Sequence, residues 1–373
     1  MIHLGDIRTI KGANIPPVDV VTGGSPCQDL SVAGRRTGLA GARSGLFLDQ
    51  IRIIKEMRDE YGTDFPRYMV WENVPGAFSA NKGRDFATVL DETIRIAEPK
   101  APGVHVPSKG WPTWGSFRDV DGGWSVAWRI LDAQYWGVPQ RRRRIALVAD
   151  FNGGCAGKIL FEPEGMSGYT SQSFRPWKET ADRTQECTGK AGAILHPKIV
   201  GTICASGAGL NRPAGQGSET DLCIVQLFAK QRHDEYIESD ISSCQQARQD
   251  HDATDLVVCS TKYNSVVRRL TPLECERLQG FPDNWTLISR ASDSARYRAL
   301  GNSIALPPWR FVMRRIYEKL RPGAKMGSLF DGIGGFPLIW RELGGTPVWA
   351  SEIERFSISV TKMHFRKEKD DEF

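Results

Sequence analysis

The sequence predicts an α/β protein with a mostly parallel sheet and a second, smaller, loop-rich domain. Three observations carry this. Strand-like and helix-like runs alternate from Val18 to Asp150, which is the rhythm of helices laid over a parallel sheet. From Phe151 to about Asn264 the texture changes to short apolar pieces between Gly, Ser, Asn and Asp clusters. A strand, glycine turn, helix and strand then follow one another from Met326 to Glu352.

In the first region the runs are a strand at Val18–Thr22, a helix at Leu46–Glu60, a strand at Tyr68–Trp71, a helix at Arg84–Ala97 and strands at Ser125–Ala133 and Arg144–Ala149. The Pro/Gly/Trp-rich stretch from Pro99 to Gly123 has no clear periodicity and reads as a surface excursion. The loop-rich domain offers strand pieces at 194–195, 199–203, 223–228 and 256–259. Beyond Arg268 come helical Pro272–Leu278, a turn at Phe281-Pro282-Asp283 and helical Pro308–Leu320. At the C-terminal end the strand before Phe330 leads into a helix at Pro337–Leu343 and a strand at Pro347–Ser351.

A chain of 373 residues can bury a sizeable core and has room for two domains. Its formal net charge of +5 is too small to establish nucleic-acid binding, although Arg141–Arg144 and Arg268-Arg269 are local basic clusters. The eight cysteines include no C-x-x-C pair, so neither a zinc site nor a disulfide framework is indicated. No apolar stretch approaches the ~20 residues of a membrane helix, and the first residues lack the regions of a signal peptide. The expectation is a cytoplasmic protein without metal.

Chemistry concentrates at Ser25-Pro26-Cys27-Gln28, where an apolar strand ends in a corner. Proline fixes the backbone before the thiol, and Gly23-Gly24 admits a close neighbour. The basic, glycine-rich stretch through Gly45 suits an anionic substrate. An inert buried thiol is the bland alternative for a cysteine at a strand end. The second feature is Phe330-Asp331-Gly332-Ile333-Gly334-Gly335-Phe336, with the acid Glu352 closing the next strand. A nucleotide site has this layout, the acid meeting ribose hydroxyls, but the spacing departs from G-x-G-x-x-G and a purely structural turn is the alternative.

Together these segments resemble the DNA (cytosine-5)-methyltransferase family. Phe330–Phe336 resembles its S-adenosylmethionine loop, Gly23–Gln28 its Pro-Cys motif, Trp71-Glu72-Asn73-Val74 its Glu-Asn-Val motif and Gln140–Arg144 its Gln-x-Arg-x-Arg motif. Arg268–Pro272 through Pro282, and Gly301-Asn302-Ser303-Ile304-Ala305, resemble the last two motifs. The order differs from the family pattern: the cofactor loop and Ser351–Glu354 come last, and the chain starts with Gly5-Asp6-Ile7, which resembles the motif normally third. That order implies a circular permutation, with the ends meeting between Phe365 and His3.

The resemblance implies a Rossmann-like, S-adenosylmethionine-dependent methyltransferase sheet with a target-recognition domain. The boundaries it implies are 1–150 and 266–325 for the catalytic domain, 151–265 for recognition and 326–373 for the permuted cofactor segment. Cys27 would add to carbon 6 of a flipped-out cytosine in double-stranded DNA, Glu72 would serve ring nitrogen 3 if its pocket protonates it, and Arg144 the carbonyl oxygen. Ser31, Arg35, Gln140 and Arg142 would meet DNA. Phe330, Gly332, Ile333 and Gly335 would line the methionine half of the cofactor, Glu352 would meet the ribose, Asp6 and Ile7 the adenine, and Ile353 would also touch the cofactor. Leu46, Asn302 and Ser303 would close the pocket, and S-adenosylhomocysteine would be the product. A small residue is commoner in the family where Asp331 stands. The resemblance further implies a monomer of a restriction-modification system, a phage or an orphan methyltransferase, bacterial or phage-encoded and associated with the nucleoid through DNA. Rival readings are a catalytically silent DNA-binding module, an RNA methyltransferase and a dehydrogenase; the last leaves Cys27 and Glu-Asn-Val unexplained.

Overall fold

A computed structural model of the chain describes residues 1–25, 46–161, 224–230, 236–244, 255–260 and 265–366. Two compact units emerge, one of residues 1–132, 143–166 and 303–373, the other of 133–142 and 167–302.

The first unit begins with strands β1 (Ile2–His3) and β2 (Val20–Gly23), helix α1 (Leu46–Tyr61), β3 (Tyr68–Asn73) and α2 (Arg84–Ala97). It continues with β4 (Trp114–Arg118), β5 (Ser125–Asp132), β6 (Arg143–Asp150) and α3 (Ala156–Leu160). The second unit holds β7 (Ile224–Lys230), β8 (Tyr236–Glu238), β9 (Asp255–Ser260), β10 (Ser265–Arg269), α4 (Pro272–Gln279) and α5 (Asp293–Asn302). The chain then returns to the first with α6 (Leu306–Tyr317), β11 (Lys325–Leu329), α7 (Gly335–Glu342), β12 (Thr346–Ser351) and α8 (Arg355–His364).

In the first unit eight strands form one sheet in the order β1-β12-β11-β2-β3-β6-β5-β4. The five from β1 to β3 are parallel, whereas β6, β5 and β4 pair antiparallel. The expected mostly parallel sheet is therefore mixed. Periodicity announces a strand but not its direction. The stretch expected to be a bare excursion contains β4, whose residues are largely exposed as befits a sheet edge and so carry no alternating pattern. Gly115 lets it lie on β5, because a Cβ there would fall 2.2 Å from the ring of Trp128.

One face of the sheet is sealed by α1 and α2. Phe47, Ile51, Ile54 and Met57 from α1 and Phe86 and Leu90 from α2 share one core with Met69, Trp71, Leu329 and Trp349. Each large apolar side chain so buried contributes roughly 1.5–3 kcal/mol. The chain runs from β2 through α1 to β3 in one direction across the sheet, and from β11 through α7 to β12 in the other. The reversal lies between β11 and β2, and a crevice outside the carboxyl ends of the strands at such a point is where open α/β sheets bind ligands.

The second unit has a four-stranded antiparallel sheet in the order β10-β9-β7-β8. Helix α4 starts at a capping box of Thr271 and Glu274, with Pro272 in its first turn, and stops at Gly280 in left-handed conformation. Buried Glu276 receives Arg296 at 3.2 Å, and Gln279 donates to the Leu300 carbonyl at 2.7 Å, tying α4 to α5. These helices therefore group with the second unit, which runs to Asn302. No described helix is long and apolar enough to cross a membrane. Among the described residues no group of His, Cys, Asp or Glu could hold a metal ion.

Candidate active site

The carboxyl ends of β11, β2 and β3 lie side by side, with Leu329 opposite Gly23 and Gly23 opposite Trp71. Ser25 follows β2 and precedes Cys27 by two residues. Its Oγ accepts from the indole Nε1 of Trp71 at 3.0 Å and from Asn73 Nδ2 at 3.3 Å, and the same amide reaches the Ser25 carbonyl at 3.2 Å. Asn73 Oδ1 in turn accepts from the Val74 amide at 2.8 Å. The asparagine of Glu-Asn-Val thus spans two strands. The motif resemblance gives a role to Glu72 alone here and none to Trp71 or Ser25, whose pairing depends on strand register.

The two glycines before Ser25 each lie against a side chain. A Cβ on Gly23 would lie 2.3 Å from the Gln50 side chain, and one on Gly24 2.9 Å from Glu72 Oε2. The other oxygen of that carboxylate, Oε1, receives Arg144 Nε at 2.8 Å. Antiparallel pairing of β3 with β6 sets Glu72 opposite Ala146 and Asn73 opposite Ile145, which carries Arg144 to the same end of the sheet. Glu72 and Arg144 are brought together as a pair. Cys27, Ser31 and Arg35 lie outside the described residues.

Beyond β11 the backbone turns through Phe330, Gly332 and Gly334, with φ of 54°, 57° and 81°. This left-handed winding gives Gly332 and Gly334 their place, and Gly332 faces open space where a side chain would stand. Three of the turn's amides are already engaged: Asp331 donates to the Ser351 carbonyl at 3.0 Å, Gly332 to Glu352 Oε2 at 2.8 Å and Gly334 to the Asp331 carbonyl at 3.1 Å. A turn that spends its amides internally and holds two acids suits a positively charged ligand, not the pyrophosphate of a dinucleotide. Glu352 is fixed further by the amides of Ile353 and Glu354 at 2.7 and 2.8 Å.

Asp331 is only 8% exposed, and neither carboxylate oxygen has a hydrogen-bond partner. Burial pushes its pKa up to about 8, the Glu352 charge adds to that, and neighbouring Ser328 pulls the other way without reaching normal hydrogen-bond geometry. An unpaired acid beside an open glycine is what a methyl donor bearing ammonium and sulfonium charges would find complementary, so these residues fit S-adenosylmethionine.

Other expected cofactor residues are placed as follows. Gly5 accepts from Ser351 Oγ at 2.7 Å, which sets Asp6 and Ile7 beside the end of β12. Ile7, however, is packed in the hydrophobic core and Asp6 is paired with Arg8, so neither side chain stands free for an adenine. Ile333 is buried and Ile353 exposed; Phe330 and Leu46 are partly buried against the core. Gly335 starts α7 where a Cβ would meet Ile304 at 2.9 Å, which brings the segment after Ser303 onto the glycine turn. Asn302 ends α5 in the second unit. In that unit Gln140 and Arg142, expected at DNA, are instead buried at 0% and 2% exposure. Arg142 donates to the Gly301 carbonyl at 3.0 Å and to Cys244 Sγ at 3.3 Å, bracing the Gly301–Ala305 segment rather than meeting a phosphate.

The family model for C-5 cytosine-specific DNA methylases matches residues 1–96 and 116–318. The match skips the segment around the start of β4 and ends before β11. Among curated relatives, a DNA N-6-adenine-methyltransferase of Escherichia phage P1 is 28% identical, over 89% of this chain and 59% of its own length. The Type II methyltransferase M1.ScrFI of Lactococcus lactis subsp. cremoris is 26% identical, over 86% of this chain and 68% of its own. M.HpaII of Haemophilus parainfluenzae, also a Type II methyltransferase, is 27% identical over 84% and 74%. With most of its length matched by the family model and the motif residues Glu72, Asn73 and Arg144 gathered at one end of the sheet, the chain belongs to the C-5 cytosine-specific DNA methylase family.

Proposed function

We propose that the protein transfers a methyl group from S-adenosylmethionine to carbon 5 of a flipped-out cytosine in a specific double-stranded DNA sequence, with Cys27 as the nucleophile. The observation that carries this is the arrangement at the carboxyl end of β2: Ser25, two residues before the thiol, is held by Trp71 and Asn73, and the Glu72–Arg144 pair lies across Gly24.

Carbon 5 of cytosine is a poor nucleophile until the ring loses its aromatic character. Addition of the Cys27 thiolate to carbon 6 moves the ring's electrons toward carbon 5 and nitrogen 3. Glu72 serves nitrogen 3, and Arg144, beside it, answers the carbonyl oxygen. The cofactor supplies the methyl group. Loss of the carbon 5 proton and expulsion of the thiolate then restore the ring. Flipping the base costs roughly a few kcal/mol, which contacts from Ser31 and Arg35 would offset. Sequence recognition belongs to residues 151–264, Glu352 holds the ribose, and the motif order reflects a circular permutation. The protein acts as a cytoplasmic monomer, in a restriction-modification system, a phage or as an orphan methyltransferase.

The phage P1 relative's name raises adenine N6 as a second reading. An exocyclic amine is itself the nucleophile and needs no thiol, so the Pro-Cys corner and its braced Ser25 favour cytosine. Incubation with labelled S-adenosylmethionine and DNA, followed by nucleoside analysis and sequencing of the product, separates the two. 5-Methylcytosine at one sequence, lost in Cys27→Ala while DNA binding persists, is expected; N6-methyladenine, or 5-methylcytosine formation by Cys27→Ala, would overturn the reading.

A further inference from the structure

Asp331 has no place in the chemistry above, yet it is a buried carboxyl without a hydrogen-bond partner. It is the second residue of the turn after β11, at the switch point of the sheet. Beneath it, Ser328 of β11 and Thr22 of β2 are paired in register and so face the same side. The hydroxyls of both, and both oxygens of Asp331, are buried without a hydrogen-bond partner. An unpaired buried carboxyl is costly, and such a group at a ligand crevice asks for a donor that arrives with the ligand.

We propose that Asp331 is the recognition residue for the α-ammonium of S-adenosylmethionine, an assignment that rests on the proposed function. The amides of Asp331, Gly332 and Gly334 are engaged elsewhere and so are not the missing donors. Of the cofactor's two positive groups, the sulfonium carries no hydrogen to donate, whereas the ammonium carries three. Gly332, the next residue, has open space where a side chain would stand, so the turn leaves room for a ligand group beside Asp331. The second acid of the turn, Glu352, is held by three backbone amides and remains beside the ribose position. Asp331 thus distinguishes a ligand with an amino-acid end from one with a phosphate or hydroxyl there.

The test is equilibrium binding by calorimetry, independent of methyl transfer. Wild type, Asp331→Asn and Asp331→Ser are titrated with S-adenosylmethionine and with its analogue bearing hydroxyl in place of the α-amino group. Wild type is expected to favour the amino compound by roughly tenfold or more, as for a hydrogen bond between charged groups. Either variant should lose most of that preference while its unliganded form melts no lower than wild type, because an unpaired acid has been removed. Wild type binding both compounds equally, or a variant keeping the full preference, overturns the assignment. Wild type that binds neither compound overturns instead the proposed function on which it rests.

Discussion

The indole nitrogen of Trp71 donates to the hydroxyl of Ser25 across 3.0 Å, linking the middle of the sheet to the residue two positions before Cys27. Trp71 is itself immobilised, edge-on to Phe47 and stacked on Phe86, so the hydroxyl is referred to a rigid core. Ser25→Ala and Trp71→Phe should each destabilise the protein by about 1 kcal/mol and lower kcat by about five- to tenfold, with little change in KM for DNA. Ser25→Thr, which keeps the hydroxyl, should recover most of the rate. Equal losses in Ser25→Ala and Ser25→Thr would show that side-chain volume, not the bond, matters.

Gly23 and Gly24 differ in what they would strike. Gly23→Ala would drive a Cβ against the buried Gln50 side chain, so it should cost about 1–3 kcal/mol of stability in denaturant melts. Gly24→Ala would meet only the tip of Glu72, which can swing away. That variant should melt close to wild type and lose methyl transfer, because the carboxylate must leave Arg144. The reverse pattern, an active Gly24→Ala, would separate Glu72 from catalysis.

Glu72 and Arg144 are paired at 2.8 Å, and the proposed function has them work on the same base. Glu72→Gln and Arg144→Ala should each lower kcat by roughly 10²–10⁴-fold, and the double variant should be little worse than either. Single-turnover rates on one DNA substrate check this; full additivity of the two losses would make the residues independent.

Much of this site was legible as motifs, and the reason is local. Strand ends need Gly, Pro or Asn at fixed places, so Gly23-Gly24-Ser25 and Phe330–Phe336 announce themselves. What could not be read is set by register between strands far apart in sequence. Nothing local says that Trp71 faces Ser25 or that Glu72 takes Arg144, nor that Ile7 turns into the core and Arg142 toward Gly301. The antiparallel half of the sheet was missed as such because alternation is blind to direction, and β4 because an exposed edge has little pattern to show.

Asp331 gives the stability a pH dependence of definite sign. Burial holds its carboxyl near pKa 8 in the folded chain, above the ordinary carboxylate value of 3.8. The folded state therefore binds this proton more tightly than the unfolded state, and stability from this group declines as pH rises from about 4 to about 8. Melting temperature of the wild type should fall relative to Asp331→Asn across that window, and saturating S-adenosylmethionine should reduce the difference. Parallel curves for the two proteins would mean that Asp331 titrates as an ordinary acid.

The amino group of Met1 lies 3.3 Å from the Phe365 carbonyl, and β1 runs parallel to β12 at the sheet edge, with the Leu4 amide donating to the Ala350 carbonyl at 2.8 Å. Strands β11 and β12 thus join the sheet between β2 and β1. Residues 367–373, at up to about 3.3–3.6 Å each, offer ample length to join Phe365 to Met1. The place to open the chain is before Gly323, in the exposed turn between α6 and β11. Ala324, just beyond it, is buried and its carbonyl accepts from both Thr346 and the Trp340 indole, so the new start keeps Ala324. A chain so rejoined and reopened should fold as a monomer, methylate the same sequence and lose only a small part of its stability, since no packed element is severed. Sedimentation and a single-turnover assay check both halves of this. A folded but inactive rejoined protein, or a wild type active only as a dimer, would mean that the β11–β12 segment works in the context of a partner chain.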